Sequence, residues 1–192
     1  MHPTVLDFTK RVVKTYDLNV SGARTLIVGS LDVNGSVRPY FDKTKITGVD
    51  LFEGEGVDLV IDAHRLLDIE SIDAIFGNQQ DNSLEFFDTI VCTEMLEHDD
   101  EFWTTLDNIG WLLRSDGYLI LTARGASRGK EGFQYGESMW EHAYPDDYYR
   151  FMPNVVPKLL RLAQCDTVED VQDTYYPGFL ALGKRTACSR SI

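Results

Sequence analysis

Thr25-Leu-Ile-Val-Gly-Ser-Leu-Asp-Val-Asn-Gly-Ser36 reads as a buried strand that runs into a tight polar loop. Thr25 to Val28 are apolar or β-prone, Gly29 breaks the run, and Asp32, Asn34 and Gly35 make the turn. A strand ending in such a loop is where open α/β sheets bind nucleotides. A dinucleotide site needs G-x-G-x-x-G, so that backbone N–H groups close on a pyrophosphate. Here only Gly29 and Gly35 are present, and the Asp32 carboxylate sits between them. An anion at that point repels a pyrophosphate. It suits a ligand that has no phosphate and carries positive charge.

Working outward, strand and helix patterns alternate. Residues 3–17 carry Val5, Phe8, Val12, Val13 and Tyr16 on one helical face. Strands are expected at 24–29, 45–50, 57–61, 86–92 and 118–122, with short helices at 36–42 and 69–76. Asp99 is an N-cap candidate for a helix over about 100–114. Residues 124–150 have no clean period, and a loop that long in a compact domain is usually functional. Helix 153–164 follows, with prolines near its start, and then strands 167–174 and 179–184 around a Pro177-Gly178 turn. Five strands alternating with helices predict a doubly wound, mostly parallel α/β sheet with helices on both faces. The last two strands, joined by a short turn, must be antiparallel to each other. Residues 1–186 are expected to form one domain and 187–192 a loose tail.

Composition narrows the partners. The net charge of −13 opposes binding to a nucleic-acid backbone, where cationic contacts supply most of the affinity. No apolar run approaches the ~20 residues of a membrane helix, and the first ten residues lack a signal-peptide pattern. Cys92, Cys165 and Cys188 are far apart and odd in number, so a reducing cytoplasm is expected.

The chemistry-bearing residues cluster at strand ends. Asp50 lies 21 residues after Gly29, where a carboxylate can accept both hydroxyls of a ribose. Asp62 ends the next strand and can accept from an adenine amine while the Ala63 N–H donates to a ring nitrogen. S-adenosylmethionine (SAM) combines such a nucleoside with an ammonium and a sulfonium group. Cys92-Thr-Glu-Met-Leu-Glu-His98 follows the fourth strand. Glu94 can balance the ligand's charge, and His98 is the general-base candidate, since an unshifted imidazole titrates near neutrality. Cys92, in an apolar strand, reads as core. A metal reading of Glu97-His98-Asp99-Asp100-Glu101 is weak, because adjacent acids on a helix cannot all turn toward one ion.

Five segments in order resemble the class I SAM-dependent methyltransferases over about residues 22–125. They are 26–36, Gly-Val-Asp-Leu (48–51), Val-Ile-Asp-Ala (60–63), Phe-Asp-Thr-Ile-Val-Cys-Thr-Glu-Met-Leu-Glu-His (87–98) and Leu-Leu-Arg-Ser-Asp-Gly-Tyr-Leu-Ile-Leu-Thr (112–122). The resemblance implies a seven-stranded Rossmann-like sheet. It also implies that Gly29, Ser30, Leu31 and Asp32 line the methionine end and that Asp50, with Leu51 beside it, holds the ribose. Asp62 and Ala63 would hold the adenine, and Cys92, Thr93 and Glu94 would lie under the sulfonium. Two departures stand out: Ile27 replaces the acid usual two residues before the first glycine, and Leu31 and Val33 replace later glycines. Asp32 is then expected to take over the ammonium. Tyr144-Pro-Asp-Asp-Tyr-Tyr-Arg-Phe-Met-Pro153 looks like the Asp-Tyr-x-Arg-Phe signature of similar enzymes, many acting on sugars or small metabolites. Tyr148, Tyr149 and Arg150 would meet the acceptor, by stacking and as an anion clamp. Trp140, His142 and Tyr135 are lid candidates.

The expected activity is methyl transfer from SAM, leaving S-adenosylhomocysteine, to an oxygen or nitrogen of a small-molecule or sugar-type acceptor, by a monomer or homodimer. The rivals are a nucleic-acid methyltransferase, a non-catalytic SAM-binding partner protein and an NAD-dependent oxidoreductase.

Overall fold

The computed structural model describes residues 1–77, 86–129, 134–139, 146–152 and 154–186. Seven strands form one sheet: β1 (Arg24–Val28), β2 (Lys45–Asp50), β3 (Leu59–Val60), β4 (Phe87–Thr93), β5 (Leu113–Arg124), β8 (Cys165–Gln172) and β9 (Gly178–Arg185). Their order is β3-β2-β1-β4-β5-β9-β8, which is 3-2-1-4-5-7-6 when only this sheet's strands are counted. The first five are parallel, and β9 runs antiparallel between β5 and β8. The remaining strands, β6 (Ala126–Arg128) and β7 (Tyr135–Ser138), make an antiparallel pair inside the stretch that has no sequence period.

The pleat sends alternate side chains to two cores. Leu26 and Val28 of β1, Ile90 and Cys92 of β4, and Leu119 and Leu121 of β5 pack under α3 (Phe102–Leu112) and α4 (Val156–Leu162). The smaller α2 (Ile69–Phe76) packs at the edge of that core through Ile72, Ile75 and Phe76. Ile27, Val91 and Ile120 point the other way, against α1 (Pro3–Thr15) and the 3-10 turn Arg38–Phe41. That second face takes Val5, Phe8, Val12 and Val13 from α1 and Leu180 and Leu182 from β9.

Several connections are shorter than the sequence pattern suggests. The 36–42 segment is a 3-10 turn over Arg38–Phe41. β3 pairs through only Leu59 and Val60, as an edge strand with Val60 59% exposed. β5 starts five residues early, at Leu113, because Leu113 pairs with Phe87 before a register shift. α1 ends at Thr15, since Tyr16 leaves helical geometry and Asp17 turns to φ 53°. Residues 187–192 and Pro153 lie outside the described residues.

β1 and β4 are neighbours whose connections leave in opposite directions, toward β2 and toward β5. This is the switch point at which open α/β sheets leave a crevice beyond the strands' carboxyl ends. Among the described residues, no helix is long and apolar enough to cross a membrane.

Candidate active site

A cavity of about 900 Å³ opens at the switch point, along the carboxyl ends of β1 to β4. Gly29 turns the chain out of β1 with φ +73°, and a Cβ there would lie 3.0 Å from Met95 Cγ. Glycine is therefore required on two counts, backbone conformation and space. The Leu31 N–H donates to Asp50 Oδ2 (2.9 Å) and the Phe52 N–H to Asp50 Oδ1 (3.1 Å). Asp50 thus ties the β1 loop to the β2 loop. A carboxylate offers about four lone-pair directions, so each Asp50 oxygen keeps capacity for a ligand hydroxyl. Asp62 Oδ1 accepts from the His64 N–H (2.9 Å), and its side chain remains 42% exposed. Gly29, Leu31, Asp50, Leu51, Asp62 and Ala63 all line this end of the cavity.

Four expected cofactor residues do not line it. Ser30 is buried, and its N–H donates to the Val49 carbonyl (3.1 Å). Asp32 Oδ1 accepts from the Gly35 N–H (2.7 Å), so its carboxylate serves its own turn instead of standing over the cavity. Cys92 falls on the α3-facing side of β4, where burial pushes its thiol well above the ordinary range. Thr93 is buried on the other side of that strand, its Oγ1 4.0 Å from Met1 Sδ. Ile27, at the position usual for an acid, sits in the α1-facing core.

Glu94 does line the cavity, but its charge is already engaged. Its Oε2 lies 2.6 Å from Arg124 Nε, and its Oε1 accepts from the Thr122 hydroxyl (2.9 Å). Arg124, fully buried, reaches on to Asp173 at 2.7 Å. Burial works against the guanidinium charge, and these two carboxylates outweigh it, raising its pKa. His2 approaches Glu94 to 3.7 Å, with burial first and Arg124 second lowering its pKa.

His98 turns its Nδ1 to the Asp146 carbonyl (2.8 Å) and the Asp147 carboxylate (2.8 Å). Asp99 accepts from His64 Nε2 at 2.5 Å, and burial's downward pull on that imidazole is outweighed by the bond and by the nearby acids. Among the described residues, His64, Asp99 and Asp100 form a group with ligand-type atoms within 4.8 Å of one another. Within that group, His64 Nε2 lies 2.5 Å from Asp99 Oδ1.

Glu97 is fully buried, its two carboxyl oxygens lacking hydrogen-bond partners. Burial first and Glu94 second push its carboxyl up to about 8, with Arg124 pulling it down. The folded protein therefore keeps a proton that the unfolded chain releases near 4.5. That stabilisation is fully present below the unfolded value and is lost as pH rises through the folded value. Glu97→Gln lacks this loss. The stability difference between variant and parent should grow in the variant's favour, by up to about 1.4 kcal/mol per pH unit across that window. Urea unfolding over the window checks it, and a pH-independent difference refutes it.

Of the expected acceptor residues, Tyr148 lines the cavity and is 54% exposed. Tyr149 and Arg150 do not line it, which corrects the substrate-clamp expectation. The Tyr149 ring packs 5.0 Å from Phe102, and its hydroxyl donates to the Asp100 carbonyl (2.9 Å). Arg150 Nε donates to the Met139 carbonyl (3.0 Å), Nη1 donates to the Tyr149 carbonyl (2.9 Å), and Nη2 pairs with Asp147. Trp140 and His142 lie outside the described residues, and Tyr135 is exposed on β7. Local spacing missed Met1, His2, Phe52 and Met95, which also line the cavity. Phe52 and Met95 follow strand ends and could have been flagged by position. Met1 and His2 reach the cavity only through the packing of α1. Among the described lining residues there is no Lys or Arg.

No protein-family model matches the chain, and no curated protein matches its sequence. Solved structures do match its fold. The Burkholderia thailandensis 1,6-didemethyltoxoflavin-N1-methyltransferase, solved with bound 1,6-didemethyltoxoflavin and S-adenosylhomocysteine, superposes at a TM-score of 0.61 and 19% identity, covering 96% of this chain and 79% of that one. A SAM-dependent methyltransferase from Aquifex aeolicus gives 0.59 at 15% identity, covering 95% and 93%. The Synechocystis PCC 6803 magnesium protoporphyrin IX methyltransferase, with bound S-adenosylhomocysteine, gives 0.56 at 15% identity, covering 95% and 84%.

Proposed function

The chain has the class I SAM-dependent methyltransferase fold, and on that frame we propose that it methylates an oxygen or nitrogen of a small-molecule or sugar-type acceptor. The observation that carries this reading is the cavity at the switch point. Asp50 and Asp62 stand at two successive strand ends along it, and no described lining residue is Lys or Arg. A pyrophosphate would meet carboxylates there. A nucleoside with a cationic tail meets the acceptors it needs.

The residues fit SAM at the nucleoside end. Asp50 would accept from the ribose hydroxyls, Asp62 from the adenine amine, and Leu51 and Phe52 would pack on the purine. The methionine end differs from the sequence expectation: Glu94, charge-balanced by Arg124, lies at the cavity and Asp32 does not. Bound there, SAM supplies a methyl group activated by its sulfonium. The chain's own contribution is to align the acceptor and exclude water. Met1 and His2 close one side of the cavity, and His98 and Tyr148 lie along it. Cys92 and Cys165 are buried free thiols, which supports a reducing, cytoplasmic setting.

Thermal unfolding with S-adenosylhomocysteine, with NAD and with no ligand tests the reading. At 100 times its dissociation constant a ligand adds ~2.7 kcal/mol, roughly 5–11 °C for a chain of this length. A shift with S-adenosylhomocysteine alone is expected and opens an acceptor screen of sugars and small amines. A shift with NAD alone, or with neither, rejects it.

A further inference from the structure

α3 carries a polar residue on the face it turns to the core. Asn108 is 7% exposed and shares that face with Thr105, Ile109 and Leu112. An amide taken out of water costs free energy unless it is hydrogen-bonded. Here Asn108 Nδ2 donates to both the Ala63 and the His64 carbonyl, at 2.9 Å each. Those carbonyls belong to the turn of Asp62, Ala63 and His64, all three of which line the cavity. The peptide that carries the Ala63 N–H is fixed from the other side, since its carbonyl, on Asp62, accepts from the Arg65 N–H (2.9 Å). In a trans peptide the N–H points opposite to the carbonyl, so the Ala63 N–H is directed away from that bond. The Asp62 carboxylate is held inside the turn by the His64 N–H. Asn108 ties the backbone of this turn to a packed helix.

We propose that Asn108 is a positioning residue of the cofactor site: its amide forks across two successive carbonyls and aims the Asp62 carboxylate and the Ala63 N–H at the adenine edge, which makes the site selective for that base. The inference rests on the methyltransferase reading and deepens it. The residue type suits the task. An amide nitrogen has two donors set in a plane, a serine hydroxyl has one, and an apolar side chain of similar size has none. A polar residue on an otherwise apolar helical face breaks the local pattern, and such breaks are expected where a sequence serves a site. The selectivity follows from the donors and acceptors. Adenine offers an amine to Asp62 and a bare ring nitrogen to the Ala63 N–H. Hypoxanthine presents a carbonyl and an N–H at the same two places, so both protein groups lose their partners.

Calorimetric titration with S-adenosylhomocysteine and with S-inosylhomocysteine, its hypoxanthine counterpart, is the test. The parent should prefer S-adenosylhomocysteine by about 10²-fold, the worth of two hydrogen bonds, and Asn108→Ala should cut that preference about tenfold. Asn108→Ser keeps one donor and should fall between the two. It decides the matter if Asn108→Ala does not fold. Ile120→Val, in the α1-facing core, should lower the melting temperature and leave the preference at the parent's value. A preference unchanged in the folded Asn108 variants makes the amide a matter of stability alone and overturns the proposal. A parent that binds the two ligands equally overturns it as well, since no adenine edge is then read. A parent that binds neither ligand instead overturns the methyltransferase reading, and the proposal with it.

Discussion

Arg124→Met is expected to destabilise the protein by about 3–5 kcal/mol and to lower its melting temperature by roughly 6–20 °C. Arg124 is fully buried at the end of β5 and is the cation shared by Glu94 (2.6 Å) and Asp173 (2.7 Å). Removing it strands two carboxylates that are almost as deeply buried. Asp173 also accepts from the Thr4 hydroxyl (2.6 Å) and the Tyr175 N–H (2.8 Å), which joins α1 to the β8–β9 turn. Chemical denaturation measures the loss. A triple variant, Arg124→Met with Glu94→Gln and Asp173→Asn, should recover much of it, because the stranded charges go too. A single variant within ~0.5 kcal/mol of the parent, the range of an ordinary surface substitution, rejects this account.

Asp50→Ala is expected to weaken S-adenosylhomocysteine binding by roughly 10²–10⁴-fold. The estimate takes two hydroxyl bonds to one carboxylate at ~1.5–3 kcal/mol each. The same change also releases the Leu31 and Phe52 N–H groups that hold the two loops together. Asp50→Asn keeps the shape and one acceptor, so its loss should be smaller. Calorimetric titration separates the two variants. An Asp50→Ala protein that binds like the parent would show that the nucleoside does not sit over β2.

The strands of the parallel half were legible because each is an apolar run stopped by glycine or acid. The acids at those stops, Asp50, Asp62 and Glu94, all reach the cavity. Asp32 misled because a short acid in a turn can serve its own backbone. Arg150 misled for a related reason: a motif states which residue is present and not which way its side chain turns. Glu94, Arg124 and Asp173 are too far apart in sequence for any periodicity to join them, yet they meet in one ion-pair network. The edge strand β3 and the 3-10 turn replace longer elements because so few side chains there are buried. Sequence pattern reports the intention to bury and not the extent of pairing.

The α1-facing core carries a consequence for how the chain is made. Its N-terminal contributors, Val5, Phe8, Val12 and Val13, pack with Leu180 and Leu182 of the last strand. Arg11 and Tyr16 hold Glu169 of the strand before it. A ribosome releases α1 more than 150 residues before those partners exist. During that interval its apolar stripe has no finished wall to meet. Closing the sheet is therefore a late event of long sequence separation, the kind that slows folding. A nascent chain halted before β9 would present that stripe to chaperones.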